Sequence, residues 1–364
     1  MKKIFITILA VAALAACTKS EVAYEASAEI GFAPAVKNVT KAANTSGILN
    51  KEDKLGVWAY WNYNQGTNVV SGSTGQINSS NPYSNYSTSY LENATFANRN
   101  SGPNWGGKTS YPWPTNGALV FAGYTIPENG TINATYTLNG TLAATTDDDV
   151  MTFTTYTQSL NTAETYDLCW FGATASSYDK TSGVVPVTLS HALTWITFQI
   201  KGKEATSLPV TAGWKVTELV LNDIKTTGTG VCVGTTVQNG ETVTPASANW
   251  TLDGTKGNMP IYPLNSETGK TIEFTAAEIE SNAKGIVILP QVPTSVTVEW
   301  EYSVGTNTFT EKKNLPLKLS DNVDQNKWLA GVHYTYTLVF DSNEILIAPT
   351  YSGWDTPSKE VTVE

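Results

Sequence analysis

Side chains able to do chemistry are few in this sequence, and they lie far apart. Of two histidines, His191 opens the step Ala192-Leu193 between two strand-like runs. His333 falls on the face of an alternating run opposite Tyr334, together with Thr335 and Thr337. Neither has a His, Cys or carboxylate at a metal-ligand spacing, so a strand-edge or half-exposed imidazole is expected at each, and no metal site. Asp147-Asp148-Asp149 could hold a hard cation but lacks the glycine and later glutamate of a calcium-binding loop. It reads as a solvated turn before a strand. Glu299 and Glu301 share one strand face, as many harmless pairs do, and nothing beside them marks a raised pKa. Neither Gly-x-Ser-x-Gly nor His-Glu-x-x-His occurs. No enzyme is expected, no catalytic residue and no cofactor.

One residue has its chemistry specified by its neighbours. Lys2 and Lys3 precede an apolar run, Ile4 to Ala13, too short to span a bilayer as a mature helix, and Leu14-Ala15-Ala16-Cys17 follows. This is the layout of a secretory signal ending in small residues. With Cys directly after the small pair it resembles the lipobox of bacterial lipoproteins, cut before Cys17 and acylated on its sulfur. Residues 1–16 then form the signal peptide and 17–27 a lipid tether. Two cysteines remain, Cys169 and Cys232, each within a strand-like run. Export would permit a disulfide between them, but buried small side chains fit those runs better.

Composition bounds the rest. The chain has 22 basic and 32 acidic side chains, a formal charge of −10, and no Lys/Arg cluster. That excludes nucleic acid as a partner and gives no electrostatic attraction to anionic lipid. Charged residues are only 15%, whereas 11 Trp, 17 Tyr and 28 Gly point to strands joined by turns. About 350 residues after the signal exceed what one core usually holds, so two domains are expected, 28–180 and 181–364.

Periodicity supports an all-β chain of antiparallel sandwiches. Leu55, Val57, Ala59 and Trp61 share one face, with Trp58 and Tyr60 on the other. Ala118 to Tyr124 is almost continuously apolar and should be buried on both sides. Val296, Val298, Trp300, Tyr302 and Val304 alternate with polar neighbours, as do Val332, Tyr334, Tyr336, Leu338 and Phe340, the pattern of sheets with one wet face. Ala28 to Val36 reads as a short strand ended by proline. Thr275-Ala276-Ala277-Glu278 fits a capping box, so one short helix is expected over 276–281. The stretch 62–117 is rich in Asn, Ser, Gly and Tyr, with an isolated strand expected at Tyr90 to Phe96. Its aromatics, including Tyr86, Trp105 and Trp113, could stack on sugar rings or a protein partner, or pack back onto their own sheet.

The order of motifs resembles the fimbrillin-like proteins of Bacteroidetes, the type V pilins. It comprises the lipobox, the strand before Thr40-Lys41-Ala42, Leu55 to Tyr60, and Tyr111-Pro112-Trp113-Pro114 ahead of Leu119 to Ala122. Then come His191-Ala192-Leu193, Leu289-Pro290-Gln291, Trp328-x-x-Gly331-x-x-Tyr334-x-Tyr336 and the closing run Ile345 to Trp354. The resemblance implies two tandem transthyretin-like β-sandwich domains on an outer-membrane lipoprotein. It also implies a surface-exposed fimbrium of self-assembling subunits, or a tip or anchor subunit, meeting a host or bacterial protein or glycan. Residues 28–41 would be a removable first strand, cut after Lys41, with Lys37 and Lys51 as alternatives. The vacated groove would take a strand from the carboxyl end of the next subunit. Ile345, Ile347 and Tyr351, or Val361 and Val363, are the candidate donors. The alternative is a tethered outer-membrane lipoprotein that binds glycan through 62–117.

Overall fold

A computed structural model of the chain describes residues 29–36, 54–62, 88–97, 105–107, 110–113, 118–126, 132–137, 150–161, 166–175, 184–203, 213–233, 237–238, 241–242, 247–262, 269–279, 286–320, 322, 326–341, 345–353 and 359–360. Every regular element among them is a strand. Seven close into a barrel, in the order β1 (Gly31–Val36), β4 (Trp105–Gly107), β3 (Thr88–Ala97), β2 (Lys54–Asn62), β5 (Ala118–Ile126), β8 (Cys169–Ala175) and β9 (Val184–His191). Neighbours are antiparallel except at the closing seam, where β1 runs parallel to β9.

The pleat explains the barrel. Along β5, Leu119 and Phe121 point into the barrel core beside Leu55, Val57 and Ala59 of β2, while Val120, Ala122 and Tyr124 point outward. The outward set is covered by a second sheet, β15 (Ser247–Leu252), β12 (Thr227–Val233), β7 (Val150–Thr157) and β6 (Asn133–Thr137), which contributes Trp250, Cys232, Phe153, Met151 and Tyr136. The apolar run at 118–124 is therefore buried on both faces, as a strand between two layers must be. Pairing also crosses residue 180, because β7 of the first half lies beside β12 of the second.

The second core lies between two further sheets. One has the order β16 (Lys256–Tyr262), β11 (Lys215–Lys225), β20 (Ser295–Val304), β21 (Asn307–Pro316), with β17 (Lys270–Thr271) also on β11. The other runs β18 (Ala277–Glu278), β10 (Thr194–Gly202), β22 (Val332–Phe340), β23 (Ile345–Gly353), β24 (Lys359–Glu360), with β19 (Ile286–Ile288) also on β10. A small hairpin pairs β13 (Val237–Gln238) with β14 (Glu241–Thr242). Val296, Val298 and Trp300 of β20 meet Tyr336, Leu338 and Phe340 of β22 and Ile196, Phe198 and Ile200 of β10, the faces expected from their alternation.

Two expectations change. Residues 277–278 form a strand and not a helix, because Ala277 pairs with Ile200 and the Ile279 amide donates to the Phe198 carbonyl. That pairing holds the segment extended over the buried Ile279, so tertiary context overrides the capping signal. Tyr90 to Phe96 is not isolated but belongs to a ten-residue barrel strand between β2 and β4. Of the two places expected for His333, it takes the half-exposed one, on β22 between β10 and β23.

Candidate assembly site

The feature most suited to a role in assembly is the seam made by β1. Gly31 lies opposite Val184 and Val36 opposite Leu189 in the parallel ladder, while Gly31 and Phe32 meet Gly106 and Trp105 of β4. The Ile30 amide donates to the Tyr111 carbonyl at 2.7 Å, and Ser110 Oγ donates to Glu29 Oε1 at 2.6 Å. Alternate side chains then point inward. Ile30, Phe32 and Pro34 are buried, and Phe32 is 0% exposed. The Phe32 ring meets Phe96 and Phe121 edge-on at centroid distances of 4.7 and 5.3 Å, and Phe171 at 6.3 Å. One short strand thus plugs a ring of aromatics that belongs entirely to other strands.

Other expected site residues fall in varied places. Cys17, Lys37, Lys41, Lys51, Tyr86, Val361 and Val363 lie outside the described residues, as does the Trp105 side chain. Trp113 is inside the barrel core, 4% exposed and edge-on to Phe121 at 5.6 Å, so its ring is packing and is not available to a ligand. Ile345, Ile347 and Tyr351 lie on β23, which pairs with β22 along nine positions. Ile345 is buried, Ile347 packs against the second core, and Tyr351 is exposed. The Gly102 to Thr109 stretch has the spacing of a phosphate loop. Its Trp105–Gly107 is a strand, however, and among the described residues 110–113 no helix follows to present amides to an anion.

The short motifs of the second half converge at the junction of the two cores. The Ala192 amide donates to the Leu168 carbonyl, and Trp250 Nε1 donates to the Ala192 carbonyl at 2.7 Å. The Gly331 amide donates to the Leu193 carbonyl, and Thr194 Oγ1 to the Leu329 carbonyl at 2.8 Å. Gly331 has φ +70, a conformation only glycine adopts readily. The Gln291 side chain imitates a strand neighbour. Its Oε1 accepts from the Lys225 amide, and its Nε2 donates to the carbonyls of Lys225 and Leu289. Gln158 Oε1, from the first half, accepts from the Leu289 amide. Trp328 Nε1 donates to the Tyr336 hydroxyl at 2.8 Å, and the Tyr334 hydroxyl accepts from the Leu329 amide. Burial pushes the Tyr334 phenol up to about 12 and the Tyr336 phenol higher still, so both stay protonated. These motifs are welds, and their chemistry is hydrogen bonding.

Two titratable clusters were not legible from spacing. His333 stacks on Trp195 at a centroid distance of 3.4 Å, with Nε2 2.8 Å from Thr197 Oγ1. Burial lowers its pKa to about 4. His191 lies opposite Cys169 in the β8–β9 pair, with Nδ1 2.9 and 3.1 Å from the two carboxylate oxygens of Asp167 and 3.5 Å from Cys169 Sγ. Antiparallel pairing makes neighbours of residues 22 apart, which no linear spacing rule detects. One imidazole nitrogen faces both groups, so they do not form a relay in which His bridges a nucleophile and an acid. Cys169 and Cys232 are both buried thiols, and burial holds the Cys232 thiol well above its usual range.

The described residues form all-strand layers closed at one seam by a short strand. Comparison with known proteins gives the class a name. The fimbrillin-like family model matches residues 40–354, and the chain belongs to that family. Membership of that family makes the chain a structural protein and not an enzyme. The prokaryotic membrane lipoprotein lipid attachment site matches residues 1–18, so the chain carries a membrane-anchoring lipoprotein signal. No curated protein matches. Among solved structures, a fimbrial protein from Bacteroides vulgatus is similar at 14% identity and a TM-score of 0.51, over 90% of this chain and 99% of that one. A fimbrial assembly protein from Parabacteroides distasonis is similar at 11% identity and a TM-score of 0.36, over 92% and 100%.

Proposed function

We propose that the chain is a structural and adhesive subunit of a surface fimbria, exported as an outer-membrane lipoprotein and assembled by donor-strand exchange. A trypsin-like cut after Lys41, or after Lys37 or Lys51, detaches β1 together with the tether. The seam then lacks Ile30, Phe32 and Pro34, and β9 and β4 become edges with unpaired backbone groups. A strand from the next subunit satisfies both. The single observation that carries this reading is Phe32, fully buried in aromatics from other strands and presented by a short strand that pairs with β4 and β9.

The donor comes from the carboxyl end of another subunit. Both candidate segments remain in play, and the local pairing favours the later one. Withdrawing Ile345 to Tyr351 would break seven register positions with β22 and uncover Ile345, whereas β24 holds to β23 at only two. Val361 and Val363 directly follow β24. We take the two cores as tandem transthyretin-like sandwiches, the first centred on 28–180 and the second on 181–364, stitched by the β7–β12 pair. The tethered glycan-binding reading loses support with Trp113 buried in the core, and Trp105→Ala on a glycan array tests what is left of it.

The test is treatment of the purified lipoprotein with a trypsin-like protease, followed by mass spectrometry of the new amino terminus and sizing. The expected result is a terminus at Ala42, loss of the 1–41 fragment, and ladders of higher oligomers that vanish when residues 359–364 are deleted. A chain that resists cutting before β2, or is cut there and stays monomeric under every condition, overturns the proposal.

A further inference from the structure

We propose that Asp167, Cys169 and His191 form a site for a borderline divalent cation of the zinc class, clamping the start of β8 to the end of β9. One donor atom from each residue lies within 4.8 Å of the others. Zinc holds sulfur at about 2.3 Å and nitrogen or oxygen at about 2.0–2.2 Å, which puts tetrahedral ligand atoms roughly 3.3–3.6 Å apart. The observed 3.5 Å between Nδ1 and Sγ already meets that spacing, and the 2.9 Å between Nδ1 and the Asp167 carboxylate is a few tenths short of it. The site is shielded, because the His191 and Asp167 side chains are 7% and 8% exposed and Cys169 is 0% exposed. Both partners of the imidazole come from one segment, Asp167 in the approach to β8 and Cys169 as its first residue.

Charge selects the ion. Binding releases the Cys169 thiol proton to solvent and moves the imidazole proton to Nε2, freeing the Nδ1 lone pair. A thiolate and a carboxylate then neutralise a dication, which a shielded position favours. Calcium and magnesium want six or more oxygens, and this site offers one carboxylate. The second Asp167 oxygen or a water completes four-coordination. The clamp would sit beside Ala192, whose amide already bonds Leu168 and whose carbonyl takes Trp250, so it stiffens the junction of the two cores.

Co2+ is the probe, because cobalt–thiolate bonds give a near-ultraviolet charge-transfer band. The full chain carrying Cys17→Ser, purified in detergent, leaves Cys169 and Cys232 as its thiols. One Co2+ per chain with that band, displaced by Zn2+, is expected. The band should survive Cys232→Ser, disappear in Cys169→Ser, and need at least tenfold more Co2+ in Asp167→Asn. Should Cys169→Ser fail to fold, the unmodified chain decides: Zn2+ raises its Tm and Mg2+ does not. Absence of a band, a band that survives Cys169→Ser, or a Tm indifferent to Zn2+ overturns the site. Cutting and polymerisation are read separately, so either proposal can fail without the other.

Discussion

Phe32 and His333 show what single side chains contribute. Phe32 is fully buried against three phenylalanines, so Phe32→Ala should cost the uncut chain about 3–5 kcal/mol, read from a denaturant melt. A change below 1 kcal/mol would mean the seam collapses around the gap, and the plug idea would fail with it. His333 contributes through pH. Its folded pKa of about 4 lies below the ordinary 6.5, so the folded chain binds fewer protons between those values. Its contribution is whole above pH 6.5 and is lost as pH falls toward 4, with a ceiling of about 3 kcal/mol. Melting the wild type and His333→Gln at pH 7 and pH 4.5 checks this, the variant being less stable at pH 7 but flatter between the two. The sequence placed His333 correctly opposite Tyr334 but could not show Trp195 beneath its ring, since parallel pairing across 138 residues sets that contact. Asp167, Cys169 and His191 were hidden in a similar way, by the antiparallel pairing of β8 with β9.

At the scale of elements, alternation carried most of the information. The faces of β2, β5, β20 and β22 follow from residue type alone, because a strand between two layers or beside water leaves its period in the sequence. Irregularities left no such trace. Asn93, Thr155 and Asp223 all have positive φ, and each sits where the register shifts between paired strands. Thr155 is exposed and β-branched in a conformation that suits neither property, so Thr155→Gly should raise stability by up to about 1 kcal/mol. Gly123 answers the opposite way. A Cβ there would meet Phe171 Cε1 at 2.6 Å and the Gly56 carbonyl oxygen at 2.7 Å, the latter unable to move aside. Gly123→Ala should therefore cost about 1–3 kcal/mol, and an unchanged midpoint would show that β2 and β5 are looser than drawn.

For the whole molecule, the layers behave as one cooperative body if the junction is sound. The core between the barrel and the β6–β7–β12–β15 sheet takes residues from both halves of the chain, and Gln158 of the first half accepts from the Leu289 amide of the second. Calorimetry should give one unfolding transition, and Gln158→Ala, which strands the buried Leu289 amide across the boundary, should lower it and split it in two. Two transitions in the unmodified chain would mean the junction is only a hinge. Chain length led to an expectation of two domains divided near residue 180, but pairing of β7 with β12 across that point has no local signature. The parallel seam adds a mechanical consequence. A strand lying in the place of β1 would have six register positions along β9, and tension drawn along a fibre would pull that strand along its own axis. All six positions must then give way together and not one after another. Such a joint is weak to peeling and strong in shear, the property a tether in flowing liquid needs.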